Sequence, residues 1–225
     1  MTFSILIPAR KGSKSIKNKN VRMVKGKPLA EYTFKSLKDI NIKKFVLTGD
    51  IILKKIANRY KINTEYPRPK SLALDDTSLV NTILHFLKWA ELNDFNEIST
   101  LVILQLTSPL RTADHIKKAI NYYKKKKLTS LFSISESSEH PYETIDLKKG
   151  GKWKLNFAES KKFFRRQDYK LNSYFINGAI YIVDKKYFLK KKKFVSNNHG
   201  LFKMKKIESI DIDDIDDIKI AESLL

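Results

Sequence analysis

The 225-residue sequence predicts an α/β fold in which a mostly parallel sheet is covered by helices. Three observations predict it. Short apolar runs, Phe3 to Ile7, Lys44 to Thr48 and Leu101 to Leu104, have strand length and lack the polar alternation of a half-exposed strand, as expected of strands buried on both faces. Segments of helical period separate them, with Pro28 to Lys38, Ile52 to Tyr60 and Leu79 to Leu92 each presenting one apolar face. The resulting order, strand, loop, helix, strand, helix, is the βαβ rhythm of a parallel sheet.

Composition narrows the function classes. The length suffices for one sizeable core without disulfide help. The sequence has no cysteine, which excludes a disulfide framework, a thiolate metal site and a Cys nucleophile. Met1 leads straight into a strand pattern, and no run of eighteen apolar residues occurs, so the expectation is a cytoplasmic protein with no membrane partner. A net charge of +21 invites a nucleic-acid reading. That reading is set aside as the lesser one because lysine far outnumbers arginine and is spread along the whole chain. Runs such as Lys124 to Lys127 and Lys190 to Lys193 follow apolar-periodic segments, where cations complement a helix dipole. The surplus charge still draws anionic substrates.

The first strand ends at Pro8, which cannot donate to a ladder, and runs into Ala9-Arg10-Lys11-Gly12-Ser13-Lys14. Gly12 and Ser13 let the backbone turn, and Arg10, Lys14 and Lys19 flank free backbone N–H groups, so this loop is physically a polyphosphate cradle. Neither G-x-x-x-x-G-K-[ST] nor G-x-G-x-x-G fits it. Pro28 opens the first helix at a tolerated position, with Leu29, Tyr32 or Thr33, Phe34 and Leu37 on one face. Asp50 is placed to cap the helix from Ile52. Thr64 to Tyr66 is expected to be a short strand broken by Pro67-Arg68-Pro69. The polar residues of Leu74-Asp75-Asp76-Thr77-Ser78 lie at the entry of the next helix, where they either cap the backbone or meet a ligand.

Leu101 to Leu104 delivers Gln105-Leu106-Thr107-Ser108-Pro109-Leu110-Arg111 at its carboxyl end, so Gln105 and Arg111 point toward the same rim as Arg10 and Lys14. Thr112 caps the helix that follows. From Ser130 the pattern turns to alternation, then a Gly150-Gly151 turn and Trp153 to Phe157, which together read as a hairpin arm over residues 131–172. Its aromatics, Trp153, Phe157, Phe163 and Phe164, favour coverage by another subunit. Near the end, Ile210-Asp211-Ile212-Asp213 alternates, so in a strand both carboxylates would face one side roughly 7 Å apart. Such a pair suits Mg²⁺ completed by phosphate oxygens and water. The competing reading makes Asp213, Asp214, Asp216 and Asp217 the first turn of a terminal helix.

Five ordered motifs span nearly the whole chain: IPAR-x-GSK-x-I-x-x-KN, RP-x-x-LA-x-D-x-x-S, Q-x-TSPLR, NGAIYI and ID-I-D-x-x-x-D-x-x-x-AE. Together they resemble the CMP-sialic acid synthetase family, including the enzymes for legionaminic and pseudaminic acids. The resemblance implies a Rossmann-like sheet of the nucleotide-diphospho-sugar transferase type, a single domain over residues 1–225, and a homodimer formed through the arm. It implies the reaction of CTP with a nonulosonic acid sugar to give the CMP-sugar and pyrophosphate, with Mg²⁺ on Asp211 and Asp213. Arg10, Lys14 and Asp211 would be catalytic. Ala9, Arg10, Gly12, Ser13, Lys14, Lys19, Asn20, Arg68 and Ser78 would bind the nucleotide. Gln105, Arg111, Arg165, Arg166, Tyr174, Asn177 and Tyr181 would bind the sugar, the paired arginines through its carboxylate. No general base is evident.

The chain departs from the family pattern in three places. Ser15-Ile16-Lys17 stands for G-I-P, Leu47-Thr48-Gly49-Asp50 for S-T-D-D, and Glu143 where some sialic-acid enzymes carry a lysine. An acid there would repel a sugar carboxylate, which favours a sialic-acid relative. Two alternatives stay open: a cytidylyltransferase for a deoxy-octulosonic acid, and a nucleic-acid binder without enzymatic activity.

Overall fold

A computed structural model describes residues 1–12, 15–74, 77–157, 165–169 and 172–225. Its main sheet has six strands in the order β10-β6-β9-β5-β1-β4. These are β1 (Phe3–Pro8), β4 (Lys43–Leu47), β5 (Thr100–Ile103), β6 (Ser130–Glu136), β9 (Tyr174–Asp184) and β10 (His199–Lys203). Two small ribbons lie outside it, β2 (Met23–Val24) with β3 (Lys27–Pro28), and β7 (Ile145–Leu147) with β8 (Trp153–Leu155). The helices are α1 (Leu29–Ser36), α2 (Ile51–Arg59), α3 (Leu79–Leu92), α4 (Ala113–Lys125), α5 (Lys185–Lys191) and α6 (Ile215–Leu224).

Strands β1, β4 and β5 pair in parallel, as do β6 and β10, but β9 runs antiparallel between β5 and β6. The sheet is therefore mixed. Because β9 runs backwards, its first residues lie at the carboxyl ends of β5 and β6, where ligands of open α/β sheets sit. The strand Ser130–Glu136, read with the hairpin arm, instead belongs to this sheet and is buried for all but its last residue.

Alternation along β1 sends its side chains to two cores. Ile5 and Ile7 pack with α1, α2 and α4, while Leu6 packs with Phe45, Leu47 and residues of α3 and Phe188 of α5. A third, smaller core joins the two ends of the chain: Ile16 of the first loop and Leu29 of α1 meet Ile212, Ile218 and Ala221. Backbone N–H of Lys25 donates to Glu222 of α6 at 2.9 Å, which adds a polar tie across the same contact.

Helix starts follow the capping chemistry. Asp50 accepts from Ile52 N at 2.9 Å, and Thr112 forms a capping box with His115. The expected strand at Thr64 to Tyr66 is absent. A single bridge at Asn63 pairs with Phe45, and Tyr66 is buried beside His85 in the α3 core, where the following Pro67-Arg68-Pro69 turns the chain away. No described helix is long and apolar enough to cross a membrane.

Candidate functional site

A crevice of about 300 Å³ opens at the carboxyl ends of β1 and β5. The first loop supplies Ala9, Arg10, Gly12, Lys19 and Asn20 to its wall. Gly12 has φ 91°, the left-handed backbone that a side chain resists, so the turn depends on glycine there. Asn20 donates its amide to Arg10 O at 3.1 Å and holds the loop closed. Ser13 and Lys14 lie outside the described residues.

Arg68 enters from the segment before α3. Its guanidinium donates to Leu47 O at 3.0 Å and Leu72 O at 2.5 Å and reaches Thr82 Oγ1 at 3.3 Å. Burial pushes its pKa down, the nearby Tyr66 opposes this, and the Arg10 cation adds to the lowering. Two guanidinium groups so close together make the crevice attractive to a polyanion.

The acidic side is the segment before α6, which is neither helix nor strand at Asp211 to Asp213. The expected strand is thus an extended loop. Asp214 is the N-cap of α6, accepting from the backbone of Asp216 and Asp217, and Asp217 returns the contact to the backbone N–H groups of Asp213 and Asp214. The terminal-helix reading therefore holds for Asp214, Asp216 and Asp217, whereas Asp211 and Asp213 line the crevice. Lys19 joins the two walls, donating to Ile212 O at 2.7 Å and to the Asp213 carboxylate at 3.1 Å. Ser15 adds a 2.5 Å hydrogen bond to Asp213 O.

Burial pushes the Asp211 carboxyl pKa up, and the Asp213 and Asp217 charges act in the same direction, while the Thr107 hydroxyl and the Lys19 ammonium draw it down. Its Oδ1 is buried without a hydrogen-bond partner. A buried carboxylate oxygen left bare in a crevice, with a second carboxylate alongside, fits a hard divalent cation. No group of three or more His, Cys, Asp or Glu side chains gathers among the described residues.

Gln105 also lines the crevice. Gly178 faces it, and a Cβ there would sit 3.5 Å from the Gln105 amide. Two residues expected beside it are placed elsewhere. Arg111 is 1 % exposed, and its guanidinium donates to Gln105 O at 2.9 Å, Ala179 O at 2.8 Å and Thr33 Oγ1 at 2.8 Å. It ties α1, β9 and the β5 loop together and presents nothing to the crevice. Burial pushes its pKa down to about 9, partly offset by the charge of Asp211. Asn177 is likewise buried, with Ser133, Ser209 and Ala179 N as partners, because it must complete the backbone hydrogen bonding of an irregular stretch of β9.

The remaining expected residues are dispersed. Ser78 is engaged as the N-cap of α3, accepting from Asn81 N at 3.1 Å, while its neighbours Thr77 and Leu79 reach the crevice. Tyr181 packs its ring against Phe194 at 5.8 Å in the α5 core. Tyr174 is exposed, accepts from Lys203 at 2.9 Å, and lines a separate cleft with Glu136 and His140. Arg165 pairs with Asp168 at 3.2 Å on an exposed 3₁₀ turn, and only the backbone of Arg166 is described. Reading by residue type overlooked Thr82 and Thr107. Thr82 stands one turn after Ser78 on α3, so helical spacing pointed at it.

The cytidylyltransferase family profile matches residues 4–220. An N-acylneuraminate cytidylyltransferase of Streptococcus agalactiae serotype V is 32% identical over 220 residues, covering 94% of this chain and 50% of that protein. The chain thus spans about half the length of that relative. A CMP-N,N'-diacetyllegionaminic acid synthase of Legionella pneumophila is 29% identical over 233 residues, covering 100% of this chain and 97% of that protein. Among solved structures, a CMP:2-keto-3-deoxy-manno-octonic acid synthetase complexed with CTP superimposes with a TM-score of 0.70 at 15% identity, covering 100% and 98% of the two chains, a likeness of fold. On the family match and the streptococcal identity, the chain belongs to the cytidylyltransferase family.

Proposed function

We propose that the protein activates a nonulosonic acid sugar, transferring CMP from CTP to the sugar with release of pyrophosphate. The observation that carries this reading is the convergence of Lys19 and Arg10 from one end of the chain with Asp211 and Asp213 from the other, in a crevice at the strand ends. A CTP triphosphate would lie between such walls, with the cations toward its leaving phosphates and the carboxylates on the side where they would hold a divalent cation.

The sugar's anomeric hydroxyl attacks the α-phosphorus in line. A new oxygen–phosphorus bond forms as the bond to the β-phosphate oxygen breaks, pyrophosphate leaves with the electron pair, and the hydroxyl proton passes to solvent water. Asp211 and Asp213 would hold Mg²⁺, which supplies charge neutralisation on the phosphate oxygens. Arg10 and Lys19, with Lys14 from the same loop, offset the charge that develops on the departing pyrophosphate. Backbone N–H groups of the loop orient the triphosphate, and Gln105 contacts the sugar from the β5 rim. Positioning and preorganised charge account for the acceleration.

The protein works as a homodimer in this reading. Ile145, Leu147 and Trp153 of the β7–β8 ribbon are exposed, at 50%, 76% and 61%, as are Tyr174, Phe175 and Ile176 at the start of β9. Apolar surface of that extent is more stable when a second copy covers it. CTP and soluble sugar substrates, together with the lack of any spanning helix among the described residues, favour a cytoplasmic location.

A second reading takes a deoxy-octulosonic acid as substrate, an acid sugar of the kind for which the fold's CTP-bound neighbour is named. One assay separates the two. Purified protein is incubated with CTP, Mg²⁺ and a panel of acid sugars, and pyrophosphate is counted. Release with legionaminic, pseudaminic or sialic acid supports the first reading, and release with the deoxy-octulosonic acid alone overturns it in favour of the second.

A further inference from the structure

The segment that carries Asp211 has no ladder or helix of its own to hold it, so its position depends on anchors at either side. Downstream, Ile212 N donates to Thr107 O at 2.9 Å. Upstream, the 3₁₀ turn Lys206–Ser209 has a single buried residue, Ser209. That residue accepts a hydrogen bond from the Asn177 amide at 2.8 Å and donates to Lys205 O at 2.9 Å.

Asn177 sits in an irregular stretch of β9. Phe132 pairs with Tyr181 and Ile134 with Ile176, so Asn177 to Ile180 bulge out opposite Ser133 alone. Side chains supply the lost ladder bonds there. The Asn177 Oδ1 accepts from Ala179 N at 3.2 Å and from the Ser133 hydroxyl at 2.5 Å, and Ser133 Oγ accepts from Ile180 N at 2.8 Å. The carbonyl half of the amide is thus committed to the sheet. Its NH₂ half is turned away from the sheet, donating to Ser209 at 2.8 Å and more weakly to Met204 Sδ at 3.6 Å, bonds the bulge itself does not need.

We propose that Asn177 is a positioning residue: by holding Ser209 it fixes where the Asp211 carboxylate stands in the crevice, and through it how well the site takes up a divalent cation with CTP. This rests on the reading of Asp211 and Asp213 as the Mg²⁺ ligands. Partners behind a metal ligand commonly set metal affinity by tenfold or more.

The test is equilibrium dialysis of radiolabelled CTP against full-length protein, in excess Mg²⁺ and again in EDTA, with the ratio of the two affinities as readout. Asn177→Ala and Ser209→Ala are each expected to lower that ratio by about tenfold while leaving the EDTA affinity in place. The double variant should lose no more than either single one, because both break the same link. Phe188→Leu, in the core on the far face of the sheet, controls for simple destabilisation and should keep the wild-type ratio. If Ser209→Ala, the milder change, retains the wild-type Mg²⁺ gain, the positioning role is wrong. If the wild-type protein itself binds CTP equally well in Mg²⁺ and EDTA, the metal reading fails and the proposal falls with it.

Discussion

Asp211→Asn is expected to lower turnover steeply and, in the metal-free protein, to raise the melting temperature. Loss of one of the two carboxylates that would hold Mg²⁺ weakens charge stabilisation of the transition state, and losing one such stabilising group lowers the rate by roughly a hundredfold to a thousandfold. The stability gain follows from the same carboxylate. Its folded pKa lies above the ordinary value of 3.8 because of burial. Above that raised pKa the group is charged in both states, so the folded state bears a desolvation cost that the neutral amide does not. That cost disappears as pH falls through the raised pKa, so the advantage of the variant should be largest at the alkaline end of a series from about pH 8 to about pH 4 and fade as the carboxyl takes up its proton. Each kcal/mol relieved moves the midpoint of a domain this size by about 2–4 °C. Thermal melts of both proteins in EDTA across that range, together with pyrophosphate release at pH 7, check the pair of effects. Wild-type turnover in the variant, or a lower melting point, would remove Asp211 from the role assigned to it.

Arg111→Met should produce the largest loss of stability of any single change considered. The guanidinium satisfies one buried carbonyl, one part-buried carbonyl and a buried hydroxyl at 2.8 to 2.9 Å, and methionine of similar length offers no donor to any of them. Each orphaned buried acceptor costs about 1–3 kcal/mol, so a loss of roughly 3–5 kcal/mol is expected. A lysine is a poor replacement because one ammonium cannot span three acceptors on three elements. Against a total stability of about 5–15 kcal/mol such a change leaves a marginal protein, measurable as a fall in the urea midpoint. A midpoint within error of the wild type would mean that the staple between α1, β9 and the β5 loop contributes nothing.

Arg111 and Asn177 also mark how far residue patterns could be read. Both belong to motif stretches and both looked like ligand contacts, yet both are buried under the crevice, holding Gln105, the bulged β9 and Ser209. Spacing along a chain places a polar residue near a site but does not say whether it faces the ligand or the backbone behind it. The antiparallel insertion of β9 was hidden for a related reason, since a strand pattern carries no direction. By contrast, Asp50 and Thr112 as caps and the bounds of α3 were legible, because capping and helical period act over a few residues. The tail was legible in part. Alternation brought out Asp211 and Asp213, but the reading of a strand failed because the segment finds its partners in Thr107, Lys19 and Ser15 rather than in a neighbouring strand. Thr64 to Tyr66 failed in the same way, its apolar content serving the Tyr66 contact with His85 and Phe86.

A crystal of the protein grown with CTP and Mn²⁺, examined by anomalous diffraction, tests the central claim most directly. The account predicts a manganese peak within coordination distance of Asp211 and Asp213, with the triphosphate running from it past Lys19 toward Arg10. A nucleotide bound elsewhere on the molecule, or a triphosphate in the crevice with its metal held away from both carboxylates, would contradict it.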